Sequence, residues 1–509
     1  MPRIYTTLFL VFETPDTINA VEKLRVGLKR LNQRLPYLKG RVFAADGGRA
    51  ALRWSPTDLD VELQQMPPDG VVLLGLSFEK LKAERAPLHY FPPILSPLPR
   101  FANLNADSGA AVFAVNYGLL DGGIVLGLSV EHNVMDGTGV VEFIRFWAAC
   151  TRSDTIDTAT TSTPDPDEPL HRSRLLRLAV GHATQGKHQT TQQSFSDLLA
   201  RHPEFRLPLN TDTTTTPATS QPTPFPSPPA GTSKIFTFSL AKLSATKTTL
   251  RPPTRPTLPT TTNSILCAIL WSCITRVRIA RRRRTAAAVT PPSPSPSPAA
   301  VIAPRSHLGF AINGRARLGL GSGVRAGAGV GAGASPALAD PPQRPFLGNV
   351  NLYGRAGMGV DVLERATAAT AATAAGVEGS GQEEALAGVV QAIGAAVGRV
   401  TPGFMGEVME LVERAPDGSG LVPGWDAFHG MDVTVTSWAN MGVYEVDFGE
   451  GVGRPCFMRV PRAETDGFVI VLPRRRGGSV EEEIEVVVAM HPEDMAALEG
   501  DAVWRSYLV

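Results

Sequence analysis

The sequence predicts a two-domain α/β protein, on three observations: its length, strands and amphipathic helices that recur in both halves, and a Thr/Pro-rich stretch between them. At 509 residues the chain exceeds the size at which one hydrophobic core keeps growing, so two cores of roughly 200 to 250 residues each are expected. Residues 211–233, "TDTTTTPATSQPTPFPSPPAGTS", have little to bury and read as the crossover linker. This places an N-terminal domain at 1–210 and a C-terminal domain at 234–509.

The first element is a strand. In "MPRIYTTLFLVFETPD" the apolar run stops at Glu13, and neither a basic start nor a small-residue cleavage site accompanies it, so it does not read as a leader. In the segment that follows, Ile18, Val21, Leu24, Leu28 and Leu31 recur at helical spacing, with Asp16 as N-cap and Pro36 near the stop. In "GGIVLGLSVEHNV", Ile124, Leu126, Leu128, Val130 and His132 share one face of a strand, which puts His132 at its end. Val140, Phe143, Ile144 and Trp147 of "GTGVVEFIRFWAAC" then mark a core helix. Residues 153–170 are again Thr/Pro-rich, with little to bury.

The second half opens on the strand "KIFTFSLAKL" and the helix "TTNSILCAILWSCITRVR", where Asn263 or Thr262 can cap. Low-complexity stretches near 289–300 and 319–342 read as surface insertions. Four strands are then expected at "MDVTVTSW", "GVYEVDFG", "FVIVLP" and "IEVVVAM", and a last helix starts behind Pro492. Mixed strands and helices in both halves give the α/β class.

Composition excludes several functions. Lys and Arg number 49 against 48 Asp and Glu, a formal charge of +1, which supplies no general pull toward nucleic acid or an anionic membrane. No stretch approaches the ~20 apolar residues of a membrane span. The four cysteines, Cys150, Cys267, Cys273 and Cys456, are too few for a disulfide framework, and three sit in apolar or aromatic surroundings as expected of reduced, buried thiols. The expectation is a cytoplasmic protein whose partner is a small molecule, with no metal.

The stretch "VEHNVMDGTG" carries the chemistry. A neutral imidazole takes a proton from a hydroxyl or amine near neutral pH, while Gly137 and Gly139 beside Asp136 let the backbone turn sharply. On pattern alone His132 is either that base or a satisfied core histidine.

The motif "HNVMDG" resembles the HxxxDG signature of the BAHD acyltransferases and their fungal relatives of the trichothecene acetyltransferase type. Further segments in the same order support the resemblance: "LNQRLPYLKGRV", "TTNSILCAILW", "INGRARL", "FLGNVNLYG" and "VTSWANMGVYEVDFGEG". It covers most of the chain outside the insertions. It implies two chloramphenicol acetyltransferase-like domains, each a mixed sheet flanked by helices, with a tunnel at their interface. It implies an acyl-CoA co-substrate, acetyl-CoA in particular, with nothing permanently bound, and transfer to a hydroxyl of a secondary metabolite through a tetrahedral intermediate. Residue by residue, His132 is then the general base and Asp136 an architectural carboxylate with Arg315 as partner. Trp438 and Thr436 line the tunnel, the indole N–H facing the developing oxyanion, and Ser437, Asp447, Phe448 and Gly449 lie on the CoA side. A monomer suffices to enclose such a site. The chain departs from the plant pattern at Glu450, which replaces an aromatic, and at Val452 and Gly453, which lengthen the step to Arg454 and Pro455. That favours the fungal branch.

Two other readings stay open. A condensation-type domain would take its acyl group from a carrier-protein thiol, but Glu131 stands where the first histidine of HHxxxDG would be; a catalytically idle scaffold would have no reason to keep His132, Asp136 and Trp438 together. Several signals are discounted. "GSGVRA" at 321–326 has no strand leading into it, "ARRRRTAAA" at 280–288 reads as a solvated edge, and His429 and His491 lack metal-ligand spacing.

Overall fold

The computed structural model describes residues 3–45, 49–67, 73, 75–153, 155, 163–185, 194–208, 230–250, 260–288, 304–320, 344–367, 379–415, 420–426, 428, 430–475 and 483–509. Nearly all of the linker read at 211–233 lies outside them, as do His429, "GSGVRA" and most of the two insertions.

Two sheets carry the molecule. The first runs in the order Phe457–Arg459, Tyr5–Glu13, Gly123–Glu131, Phe113–Leu120, Leu63–Gln65. Leu8 faces Leu128 and Leu10 faces Leu126 across an antiparallel ladder. These side chains pack under the helices Thr17–Arg34 and Gly137–Arg152. The Gly123–Glu131 strand is buried on both faces rather than one, because Leu126 and Leu128 pack into one core cluster and Val125 into another with Phe9 and Val11. Asp16 caps the first helix by accepting from Asn19 N. Ile18, expected on its apolar face, is 81% exposed; the buried stripe runs instead through Ala20, Val21, Leu24, Gly27, Leu28 and Leu31.

The second sheet runs Asn351–Gly359, Arg305–Asn313, Val433–Ser437, Phe468–Val471, Glu483–Met490, Thr232–Ser239, with parallel pairs at its centre and antiparallel pairs toward its edges. Across its face lies the helix Thr262–Ala288. Its cap is Thr261, one residue before those expected: Ser264 N donates to Thr261 Oγ1 at 3.0 Å and Thr261 N to Ser264 Oγ at 2.9 Å. By length and composition Thr262–Ala287 would suffice to cross a membrane, but 83% of its apolar window is buried inside the fold. Trp271, fully buried there, donates its indole N–H to Ser306 Oγ at 2.8 Å. The arginine run at its end is not simply solvated, since Arg281 pairs with Asp494 at 2.8 Å and Arg283 with Glu364 at 2.7 Å. His491 caps the helix Pro492–Gly500 by accepting from Glu493 N.

"GVYEVDFG" forms no strand. It is a chain of tight turns, with Val446 N bonded to Val443 O and Phe448 N to Gly453 O, so its backbone groups are satisfied locally rather than by a sheet. The strand that follows, Phe457–Arg459, joins the first sheet instead of the second, pairing Phe9 with Arg459. There Arg459, 0% exposed, forks onto Glu485 of the second sheet with two contacts of 2.9 Å and donates to the carbonyls of Ala86 and Arg85. One guanidinium thus ties the two sheets together.

Near the other end of the seam, the Gly137–Arg152 helix approaches the backbone of Leu347 so closely that a Cβ on Gly139 would stand 2.0 Å from Leu347 O. Alanine normally favours a helix interior by up to ~1 kcal/mol over glycine. Here the obstacle is backbone and cannot swing aside. Gly139→Ala is expected to destabilise the protein by ~1–3 kcal/mol, read as a lowered midpoint in urea; an unchanged or raised midpoint would show that the contact is not this tight.

Candidate active site

His132 sits on a turn between two fixed elements. The central strand ends at Glu131, residues 132–134 turn with Val134 N bonded to Glu131 O at 3.0 Å, and the helix begins at Gly137. His132 is half-buried, its N–H bonded to Ile4 O at 3.0 Å. Its Nδ1 is enclosed and has no hydrogen-bond partner among the described residues. Burial pushes the imidazole below its ordinary value near 6.5, and the charge of Asp136 opposes that shift only in part. The ring is therefore neutral at pH 7.

Asp136 is only 3% exposed. One carboxylate oxygen caps the helix, accepting from Gly139 N at 2.9 Å. The other accepts from Arg315 Nη1 and from Val350 N, both at 2.9 Å. Arg315, 4% exposed, spends its remaining N–H groups on the carbonyls of Phe346 and Gly348 and on Asn313 Oδ1. The cap was not evident in the sequence reading, although an aspartate followed by Gly-Thr-Gly is a helix-start pattern.

Residues 346–350 fill the space behind the turn. Glu168, 2% exposed, accepts from Leu347 N at 2.7 Å and Gly348 N at 2.8 Å, and from Arg172 Nε at 2.8 Å; Arg172 in turn donates to Val134 O at 2.8 Å. Asn349 Nδ2 donates at 2.9 Å to both His132 O and Asn133 O. Glu168 falls near the end of the stretch read as having little to bury, and it opens the helix Glu168–Ala183. Its backbone partners lie about 180 residues away, so apart from Arg172 one turn on no local pattern announces it. Beside the base, Glu131 is wholly buried, accepts from Asn133 N at 2.8 Å and Asn133 Nδ2 at 2.7 Å, and is raised above the ordinary carboxylate range by burial. Burial, with the charge of Glu131 adding to it, pushes the facing Tyr5 up to about 12.

Trp438 comes to the same turn from the second sheet, at the end of the Val433–Ser437 strand. A Cβ on Gly137 would lie 3.2 Å from its Nε1 and 3.0 Å from Met441 Cε. The indole N–H thus lies at the first turn of the helix, next to backbone N–H groups that have no helical partner. Thr436 and Ser437 are half-buried on the strand, and Ser437 Oγ donates to Asn263 Oδ1 at 2.9 Å. The other three residues assigned to the CoA side lie on a separate loop. Phe448 is 1% exposed and stacks edge-on with Phe12 and Trp147, so its side chain belongs to the first core. Asp447 closes its own turn on Gly449 N at 2.8 Å. With Lys23, Arg30 and Arg152, Phe448 and Gly449 line a surface cleft of about 570 Å³. Among the described residues no group of three His, Cys, Asp or Glu is placed to hold a metal.

Two family patterns match the chain: the trichothecene 3-O-acetyltransferase-like N-terminal domain over residues 4–150, and the Transferase family over 98–319 and 382–503. The chain is 28% identical to the trichothecene 8-O-acetyltransferase of Fusarium sporotrichioides, covering 99% of this chain and 95% of that protein. It is 24% identical to the O-acetyltransferase ptmV of Penicillium ochrochloron, covering 100% and 94%. Its fold matches the crystal structure of the trichothecene 3-O-acetyltransferase of F. sporotrichioides in complex with coenzyme A and T-2, with a TM-score of 0.61 at 19% identity, over 100% of this chain and 96% of that one. Vinorine synthase shares the fold at a TM-score of 0.52 and 14% identity, over 100% and 91%.

Removing either member of the Asp136–Arg315 pair strands a buried charge, a change that costs ~3–5 kcal/mol. Asp136→Ala and Arg315→Ala are each expected to lose that much stability in urea. The double variant should lose clearly less than the sum, because the second removal strands no further buried charge. Strictly additive losses would mean that the two side chains do not act as a unit.

Proposed function

The chain belongs to the Transferase family of acyltransferases, with a trichothecene O-acetyltransferase-like N-terminal domain, and from this premise we propose that it acetylates a hydroxyl of a secondary metabolite with acetyl-CoA as donor, His132 serving as general base. The observation that carries the reading is the half-buried His132, pushed toward its neutral form by burial, with an enclosed Nδ1 that has no hydrogen-bond partner among the described residues.

In this reading the acceptor O–H gives its proton to His132 as its oxygen attacks the thioester carbonyl carbon. The carbonyl oxygen becomes an oxyanion, and the Trp438 N–H supplies partial positive charge for it. Collapse expels the CoA thiolate, which takes the proton back from the imidazolium. The products are the ester and CoA thiol, and no covalent enzyme adduct forms. Asp136 plays no part in proton transfer, because both its oxygens are engaged by backbone N–H groups and Arg315. The CoA-binding assignment of Thr436, Ser437, Asp447, Phe448 and Gly449 remains part of this proposal, with Phe448 acting from behind by shaping the loop.

General-base assistance is worth ~10²–10⁴ in rate. His132→Ala is expected to lose that factor in kcat while keeping the unfolding midpoint and saturable one-to-one binding of acetyl-CoA by calorimetry. For the wild type, kcat/KM should fall as pH drops through the His132 pKa, which lies below 6.5 because burial disfavours the imidazolium. Wild-type rates in folded His132→Ala, or an acid limb at or above 6.5, would remove His132 from the base role. Folded protein without affinity for acetyl-CoA would move the donor to another thioester.

A further inference from the structure

We propose that Asn349 is a positioning residue for this reaction, orienting His132 through the turn's backbone, with Glu131 holding the same turn from the opposite side. The inference rests on His132 being the base. It goes beyond that reading by naming what fixes the ring.

A base works only when held in place, since a misplacement of ~1 Å can cost ~10² in rate. No side chain among the described residues orients the His132 ring directly: Nδ1 has no partner, and the Asp136 carboxylate is spent on Arg315, Gly139 N and Val350 N. The orientation must then come from the backbone that carries the ring. That backbone is tied at each polar group near the base: His132 N to Ile4 O, Asn133 N to the Glu131 carboxylate, Val134 N to Glu131 O, and the two carbonyls of His132 and Asn133 to Asn349 Nδ2.

The last contact is the informative one. Two successive carbonyl oxygens converge on one nitrogen, and their dipoles repel unless a donor stands between them. A primary amide has two hydrogens and serves both. This also fixes which way the amide points, leaving Oδ1 buried and unpartnered on the other side. Asn349 belongs to the segment held by Glu168 and Arg315, so the base takes its orientation from the second half of the chain.

A space-filling role and a donating role separate on substitution. Aspartate has the shape of asparagine but presents an oxygen to both carbonyls, so Asn349→Asp should be worse than Asn349→Ala, the reverse of what packing alone predicts. The experiment compares wild type, Asn349→Asp, Asn349→Ala and Glu131→Gln. It reads kcat and KM for acetyl-CoA with water as the acceptor. It also follows the ring signals of isotope-labelled histidine by NMR across pH, with the His132 signal identified from its absence in His132→Ala.

The expected result is a kcat lowered about 10- to 100-fold in Asn349→Asp and by less in Asn349→Ala and Glu131→Gln. The KM for acetyl-CoA should stay near the wild-type value, and the His132 ring signal should move in all three. Should Asn349→Asp fail to fold, Asn349→Ala and Glu131→Gln still decide through the ring signal and the KM-against-kcat split. An unmoved His132 signal, or Asn349→Asp turning over like wild type, overturns the proposal. Wild type with a normal His132 titration but no turnover of acetyl-CoA would instead count against the base reading, and the ring signals would still test the positioning role.

Discussion

Everything around the site depends on where one buried carboxylate has been put. An ionised aspartate out of water is expensive unless its lone pairs are filled, and Asp136 fills them from three directions: the helix that follows it, the Arg315 guanidinium and the Val350 backbone. The first partner belongs to the same turn and the other two to the second half of the chain. Satisfying the charge therefore brings the halves together, and neither can shift along the other without leaving a charge unpaired. This explains the spacing between the histidine and the aspartate. Residues 132–134 turn, and the carboxylate becomes the N-cap of the next helix, so the histidine is held between the end of the strand and the capped start of the helix.

The same seam sets the protonation state of the base. Closing the two halves removes water from His132, and in that environment the neutral imidazole is favoured over the imidazolium. A second tie, the fully buried Arg459 forked onto Glu485, also joins the two sheets. It comes from a short strand late in the sequence that pairs with the first strand of the chain. Site geometry and overall fold are in this sense one problem: the burial that comes with the packed fold also favours the neutral imidazole at His132.

Much of this was legible before any coordinates. The first strand, the Asp16-capped helix, the strand, turn and helix around His132, and the final helix behind Pro492 all follow from periodicity and capping, because their determinants lie within a few residues of one another. What escaped is what depends on distant partners. Glu168 looks like the end of a solvated Pro/Thr stretch until Leu347 and Gly348 are placed against it. Ile18 fits the apolar period but lies at the margin of the stripe, where the fold covers nothing. "GVYEVDFG" alternates as a strand should, yet its glycines and local turns satisfy its backbone without a neighbour. In the candidate site, the resemblance supplied roles for His132, Asp136, Arg315 and Trp438, whereas the contacts made by Asn349, Glu131 and Arg172 emerge only from distances, although Asn349 lies in the "FLGNVNLYG" segment.

The departures of the loop after Asp447 from the plant-type pattern have a structural account in the way the loop is held. Gly449, Gly451 and Gly453 all have positive φ, a conformation that side chains disfavour, so the extra residues make a closed turn rather than a longer excursion. Phe448 N bonds Gly453 O, and Val452, 1% exposed, drops into the first core beside Phe448. Lys23 donates to the carbonyl of Glu450 at 2.6 Å and Thr14 to that of Gly451 at 2.9 Å. At 450 the contact is made by the main chain and the side chain is exposed. An aromatic can therefore give way to glutamate without loosening the loop, because the position is held through an atom that every residue has.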